Sequence, residues 1–193
     1  MKPLFLAVAI LAAAAPASSL AQAPPAPAAA PDLAHLHDFD FLMGDWVASH
    51  RRLKARLAGS TEWITYGGTV TQRPVLGGWG NSGDNVFDMP GGTVRGVSLR
   101  AYDGKTGDWL VWWLDGRDPV AGLGRPIRGR FGDGVGVFVS DDTFEGRAIK
   151  VRVTWTRPTP ATARWEQAFS ADGGKTWETN WITDFARPGA KRP

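Results

Sequence analysis

Cysteine is missing from this chain of 193 residues, and histidine is scarce. Without cysteine there is no disulfide and no thiolate metal site, so the fold must be held together by its core alone. The three histidines, His35, His37 and His50, all lie in the N-terminal part of the sequence. Later segments therefore offer no imidazole to a haem iron, and we expect no cofactor.

An excess of charge of one sign is also lacking. Lysine and arginine total 22 and aspartate and glutamate 19, which gives a formal net charge of only +3. Proteins that bind nucleic acids carry a clustered basic stripe, whereas the basic residues here are interleaved with acids along the whole chain. We therefore predict no nucleic-acid partner.

One basic run does stand out, at residues 51–56 (RRLKAR). On a strand, Arg52, Lys54 and Arg56 share one face, and the leucines at 53 and 57 share the other. This pattern is typical of the solvated outer face of a sheet, which is how we interpret it. A role in binding an anionic ligand is the alternative.

The first residues have the features of an export signal. Lys2 precedes an apolar stretch at 4–15, which is too short to span a bilayer, and small residues precede a predicted cut after Ala21. A cut after Ala23 also fits, but it would leave Pro24 next to the cut. We expect a signal peptide at 1–21, a disordered Ala/Pro-rich linker at 22–31, a domain at 32–187 and a disordered tail at 188–193. The expected location is periplasmic or secreted, with no membrane span after cleavage.

The domain is predicted to be all-β. Residues 31–46 have three-to-four apolar spacing, with Asp32 as a helix N-cap and Gly44 as a stop, and favour a short N-terminal helix that plugs one end of a barrel. After Gly44 the period becomes two, with glycine-rich turns every ten to fifteen residues. About ten short strands favour a single antiparallel up-and-down β-barrel, because closure removes exposed edges. A two-sheet sandwich is the alternative.

Residues 170–177 read SADGGKTW, which matches the Asp-box hairpin S-x-D-x-G-x-T-W. In this motif an aspartate caps backbone N–H groups, a glycine takes a left-handed conformation and a tryptophan covers the base of the turn. A single copy indicates a structural turn rather than a sialidase-like repeat. The structural residues are Ser170, Asp172, Gly174 and Trp177.

Ten tryptophans are unusual in one domain, and together they favour a cavity lined by aromatic rings. Strand alternation places Gln167 between Trp165 and Phe169, and Thr179 between Trp177 and Trp181, among rings that we expect to face inward. A buried amide needs a partner, which a ligand, the backbone or water could supply. The candidate ligand-binding residues are Gln167, Trp165, Thr179, Trp181, Trp113, Arg100, Trp79 and Asn81, the last two at the edge of the barrel mouth.

Recognisable catalytic motifs are missing. There is no G-x-S-x-G elbow and no phosphate-binding glycine loop. His35 and His37 would present two imidazoles to a metal on a strand but diverge on the predicted helix, so we expect no metal site.

Three segments resemble one uncharacterised bacterial family, known only as a domain of unknown function: HDFDFLMGDW at 37–46, GGWGN at 77–81 and WEQAFSADGGKTWETNW at 165–181. The opening F-L-x-G-x-W is also similar to that of the calycin superfamily, which includes lipocalin- and nitrobindin-type barrels. There the Gly-x-Trp, here Gly44 and Trp46, opens the first strand and closes the base of the barrel. Nitrobindin-like barrels bind haem through a histidine on a late strand, and this chain has none. The resemblance implies a calycin-like barrel and no known activity.

The leading hypothesis is non-catalytic binding of a small apolar or amphipathic ligand inside the barrel. Two alternatives remain open. One is a small hydrolase or isomerase with an Asp/Arg site at the mouth, and the other is an envelope protein-interaction module with a filled barrel.

Overall fold

The computed structural model describes residues 30–190. The predicted signal peptide at 1–21 lies outside the described residues. So do residues 22–29 of the predicted linker and the last three residues of the predicted tail.

The described residues form one closed antiparallel barrel, in which each strand pairs with its neighbours in sequence and the last strand returns to the first. The predicted all-β up-and-down barrel is therefore confirmed, and the strands do not separate into two packed sheets. The ten strands are β1 (Gly44–Leu53), β2 (Trp63–Val75), β3 (Gly80–Met89), β4 (Gly92–Asp103), β5 (Asp108–Asp115), β6 (Ile127–Gly132), β7 (Val135–Phe144), β8 (Arg147–Thr159), β9 (Thr162–Ser170) and β10 (Glu178–Ala186).

Strand alternation gives the barrel its apolar interior. In β8, Ile149, Val151, Val153 and Trp155 are buried, while the residues between them are only partly covered. Successive side chains of a strand point to opposite faces, so one apolar face of each strand lines the interior. Because the sheet closes on itself, no strand is left with an unpaired edge.

The two ends of the barrel differ. The closed end carries the N-terminal segment, the loops at 76–79, 104–107, 133–134 and 160–161, and the residues after β10. The opposite end, here called the mouth, carries the loops at 54–62, 90–91, 116–126, 145–146 and 171–177. We call the adjacent parts of the interior the closed half and the mouth half.

The predicted N-terminal helix is only one turn of 3-10 helix, Asp40–Leu42. Hydrogen bonds from Leu36 N to Leu33 O and from Leu42 N to Phe39 O span three residues, so the segment is a chain of tight turns. It nevertheless plugs the barrel as predicted, because Phe39 and Leu42 are each only 1% exposed. Two further one-turn 3-10 helices are Leu76–Gly78 and Pro119–Ala121.

Aromatic rings fill the closed half. The ring of Phe39 packs edge-on against Trp109, Phe131 and Trp155 at centroid distances of 5.1, 5.0 and 6.0 Å. Trp46, 2% exposed, donates from Nε1 to Leu42 O at 2.7 Å and lies 3.8 Å below the guanidinium of Arg187. This half of the interior is therefore densely packed with aromatic side chains.

Within residues 30–190, no helix has the length and apolar character that a membrane crossing requires.

Candidate ligand-binding site

The inward-facing residues of β1 form the first part of the site. Trp46, Ala48 and His50 are buried and face inward, so Arg52, two residues further on, faces inward as well. Its guanidinium lies 5.8 Å from the ring of Trp181. Arg51 points outward and lies 3.4 Å from Asp184. The prediction that Arg52 belongs to a solvated outer face is therefore wrong, because the strand's alternation is fixed by Trp46 and not by the basic run.

Five inward-facing rings form an aromatic cup in the mouth half: His50, Tyr66, Phe87, Trp113 and Trp181. The imidazole of His50 stacks on Tyr66 at 4.8 Å and lies 5.0 Å from Phe87 and 6.1 Å from Trp181. Phe87 in turn lies 5.8 Å from Trp113 and 6.0 Å from Trp181. The cup thus joins rings from β1, β2, β3, β5 and β10.

The cup is accessible to solvent at Trp113. This residue pairs with the buried Ser98 of β4, which fixes it on the inner face, yet it remains 40% exposed. Its indole lies against the backbone of Gly96, where a Cβ would overlap the ring. An inward-facing tryptophan with this exposure shows that the mouth half is not filled to its rim.

Unpaired polar atoms gather around the cup. Four of the six buried side-chain atoms without a hydrogen-bond partner in residues 30–190 lie around the cup: His50 Nε2, Tyr66 Oη, Arg52 Nε and Trp181 Nε1. The other two are Asn180 Nδ2 and Arg100 Nε, and Arg100 lies in or near the closed half. A buried polar group without a partner costs about 1–3 kcal/mol, so native proteins rarely keep several together. Their concentration in one place marks a site that can receive a hydrogen-bonding molecule.

Burial also changes the titration of the cup. Desolvation lowers the pKa of His50 to about 4, so its imidazole is neutral at pH 7. Its Nδ1 lies 2.9 Å from Thr183 Oγ1. Desolvation raises the pKa of Tyr66 to about 12, against the opposing effect of nearby arginines. The side chains of His50 and Tyr66 are therefore both uncharged at neutral pH.

The loop at 54–62 bends back over the mouth. Leu57 adopts a left-handed backbone (φ 55°), and its N–H donates to Glu178 Oε1 at 2.8 Å. The guanidinium of Arg56 lies 4.4 Å from the ring of Phe144 and 5.5 Å from that of Phe169. The loop thus places a second arginine inside the rim.

Two surface pockets flank the barrel. One, of about 350 Å³, opens at the rim of the mouth and is lined in part by Leu57, Phe169 and Trp177. The other, of about 420 Å³, lies at the closed end and is lined in part by His35 and Asp38. Although the second is larger, its His35 Nδ1 and Asp38 Oδ2 are already paired at 2.7 Å. None of the five rings of the cup lines either pocket. The candidate site is therefore the cup itself, which is marked by its unpaired polar atoms.

The predicted ligand-binding residues of β9 and β10 divide between the two faces. Trp165 faces inward and packs edge-on against Trp181 at 5.4 Å, and Gln167 donates from Nε2 to Asn180 Oδ1 at 3.0 Å. Thr179 pairs with the outward-facing Ala168, because a β-bulge between Thr179 and Trp181 shifts the register. The prediction that Thr179 faces inward is therefore wrong.

The remaining candidates lie in or near the closed half. Trp79, in the loop before β3, lies 6.1 Å from Tyr102, and Asn81 accepts a 2.9 Å hydrogen bond from Arg100 Nη1. The prediction that Trp79 and Asn81 edge the mouth is wrong, since their connection is on the opposite end. Arg100 points inward and is 4% exposed, and its second acceptor is Gln72 Oε1 at 3.2 Å.

Hydrogen bonds within residues 170–177 stabilise the turn between β9 and β10. Asp172 Oδ1 accepts from the N–H groups of Lys175 and Thr176 at 3.0 and 2.9 Å, and Ser170 Oγ donates to it at 2.7 Å. Gly174 has φ 99° and its N–H donates to Ser170 Oγ, while Trp177 Nε1 donates to Gly174 O. These bonds are structural and leave the motif no group free for chemistry.

The histidines of the plug lie far from the mouth half. His37 Nδ1 lies 2.9 Å from Asp40 Oδ2, and His35 Nδ1 lies 2.7 Å from Asp38 Oδ2. No group of three or more residues suited to holding a metal ion occurs in the described part of the chain.

Three residues of the site were missed from the sequence: His50, Tyr66 and Phe87. Arg52 was named as a binding residue only in the alternative interpretation, that the basic run binds an anionic ligand. Counting in twos from Trp46 would have placed His50 and Arg52 inside. Tyr66 and Phe87 carried no such signal, because glycines interrupt the apolar alternation of β2 and β3.

The barrel resembles solved structures. That of the S-type phycobiliprotein lyase CPES from Guillardia theta superposes with a TM-score of 0.54 and 11% identity, over 79% of this chain and 92% of that one. The barrel is calycin-like. The structure of EF1p2_mFAP2b bound to DFHBI gives a TM-score of 0.42 and 11% identity, over 80% of this chain and 99% of that one. No family model matches this chain, and the curated proteins give no significant match. The resemblance to the family of unknown function therefore stays a prediction.

Proposed function

We propose that this protein binds a small apolar or amphipathic molecule in the mouth half of its barrel, without catalysis, in the periplasm or outside the cell. The observation that carries the proposal is the set of unpaired polar atoms around the aromatic cup. An apolar body would cover the exposed face of Trp113, and polar groups of the ligand would satisfy the orphaned atoms.

The likeness to the Guillardia theta lyase concerns the fold alone. Its name describes that protein's activity, and fold does not by itself imply function. The proposal therefore depends on the residues of this chain. The exported location depends on the sequence of residues 1–21.

The alternative of a hydrolase or isomerase at the mouth is less well supported. Asp115 and Arg117 do lie at the rim, but Arg117 donates from Nε to Oδ1 at 2.9 Å and from Nη2 to Oδ2 at 2.6 Å. These bonds lower the pKa of Asp115 to about 2. A carboxylate so stabilised is a weak base, which is the opposite of what proton abstraction requires.

Adjacent tryptophans provide a matched test. Trp113 lies in the cup, whereas Trp112 pairs with Leu99 on the outer face. The probe is the neutral aromatic N-phenyl-1-naphthylamine, whose fluorescence rises in an apolar site. We expect saturable binding to the unmodified protein, weakened about tenfold by Trp113→Leu, since the lost ring contact is worth about 1.5 kcal/mol. Trp112→Leu should leave the affinity unchanged.

Failure of the unmodified protein to bind the probe saturably would overturn the proposal, as would an equal loss in both variants. Native mass spectrometry of protein purified from its own host tests it independently. A co-purifying molecule that is displaced by the probe is the expected result.

A further inference from the structure

The orphaned atoms of the cup are mostly donors. Arg52 Nε and Trp181 Nε1 each carry a hydrogen and cannot accept, and the hydroxyl of Tyr66 can donate. His50 Nε2 donates or accepts according to the tautomer that Thr183 selects. A ligand that satisfies Arg52 and Trp181 must therefore bring acceptor atoms.

Two arginine side chains place positive charge at the rim of the mouth. The guanidinium groups of Arg52 and Arg56 lie over aromatic rings inside the mouth, 5.8 Å from Trp181 and 4.4 Å from Phe144. No carboxylate in residues 30–190 lies within 4.0 Å of either group. Charged groups in such a partly desolvated place usually have an ionic partner.

In residues 30–190 no acid forms an ion pair with Arg52 or Arg56. Glu178 accepts the N–H of Leu57, and Asp115 is held by Arg117. Glu145 and Glu178 are both close enough to act electrostatically on Arg56 without forming an ion pair. Arg52, Arg56 and Arg117 all act on the hydroxyl of Tyr66, so its surroundings are positive. The charge that acts on this hydroxyl is therefore cationic.

We infer that the molecule bound in the mouth half is an anionic aromatic amphiphile. Its flat apolar body packs in the aromatic cup, and its carboxylate, sulfonate or phosphate group accepts hydrogen bonds from Arg52, Tyr66 and Trp181. The inference rests on the proposed function and adds the chemical class of the ligand. It also explains why a strand whose other inward residues are uncharged ends on an inward arginine.

The test compares two probes that differ by one charged group. 1-Anilinonaphthalene-8-sulfonate carries a sulfonate on the same two ring systems as the neutral N-phenyl-1-naphthylamine. We expect the sulfonate to bind at least about tenfold more tightly, because hydrogen bonds to a charged group are worth about 1.5–3 kcal/mol. Arg52→Gln should remove that preference, so that the two probes bind with about equal affinity.

Arg51→Gln is the matched control, since the neighbouring arginine lies outside and contacts Asp184. It removes the same charge from the protein without touching the cup. An equal loss of sulfonate binding in both variants would show a general effect of net charge and overturn the inference.

A salt series on the unmodified protein keeps the test decisive if Arg52→Gln does not fold. Raising the salt from about 0.05 M to about 0.5 M should weaken sulfonate binding several-fold and leave the neutral probe unaffected, because screening acts on charge. Equal affinities for the two probes, with no salt effect, would overturn the anionic class alone. Failure of the neutral probe to bind would overturn the proposed function itself.

Discussion

Acidification should destabilise this protein through His50. The imidazole is 3% exposed and is stacked between aromatic rings, and burial lowers its pKa from 6.5 to about 4. The unfolded chain therefore takes up a proton near pH 6.5, whereas the folded chain resists it until about pH 4. Since the unfolded state binds more protons in that window, the free energy of unfolding falls as the pH falls.

The size of the effect follows from the two pKa values. Each pH unit between them costs about 1.4 kcal/mol, so the loss from this group reaches about 3 kcal/mol below pH 4. Between about pH 7.5 and pH 5 the same relation gives a loss of about 2 kcal/mol. A domain of this size has only about 5–15 kcal/mol of stability, so the change is readily measured.

The assay is urea unfolding followed by tryptophan fluorescence at both pH values, on the natural protein and on His50→Gln. Glutamine does not titrate and retains a group that can bond to Thr183. Carboxylates titrate in both proteins, so the difference between their losses isolates His50. With only three histidines in the chain, the imidazole resonance of His50 can also be titrated by NMR. Equal losses in the two proteins, or a measured pKa near 6.5, would refute the reasoning.

Three further results are expected. Tyr66→Phe should raise the free energy of unfolding by up to about 1 kcal/mol, because it removes a buried hydroxyl without a partner, yet weaken sulfonate-probe binding; a loss of stability in urea unfolding would contradict this. Asn81→Leu should lower stability by about 2–3 kcal/mol, since it removes the shorter hydrogen bond of the buried Arg100; an unchanged urea midpoint would count against it. Asp172→Ala should speed hydrogen exchange at the Thr176 amide, whereas unaltered protection would mean that the carboxylate does not hold the turn.

The sequence by itself determined the architecture. Period-two alternation in segments such as 149–155 and glycine-rich turns are local properties of the chain, and they predict short antiparallel strands whatever the rest of the fold does. The hairpin at 170–177 follows from its own eight residues, because its hydrogen bonds run between neighbours. The plug was predicted from the apolar residues around Phe39, although its backbone is a set of tight turns and not a helix.

Only the tertiary structure decided the site. The face of Thr179 depends on a bulge against β9, and the end at which Trp79 and Asn81 lie depends on how the connections alternate around the barrel. The cup needs rings from five strands, which meet only when β10 pairs with β1. Neither the desolvation of His50 nor the absence of an acid beside Arg52 is a property of any local segment. Both arise because barrel closure removes water from side chains that are distant in sequence.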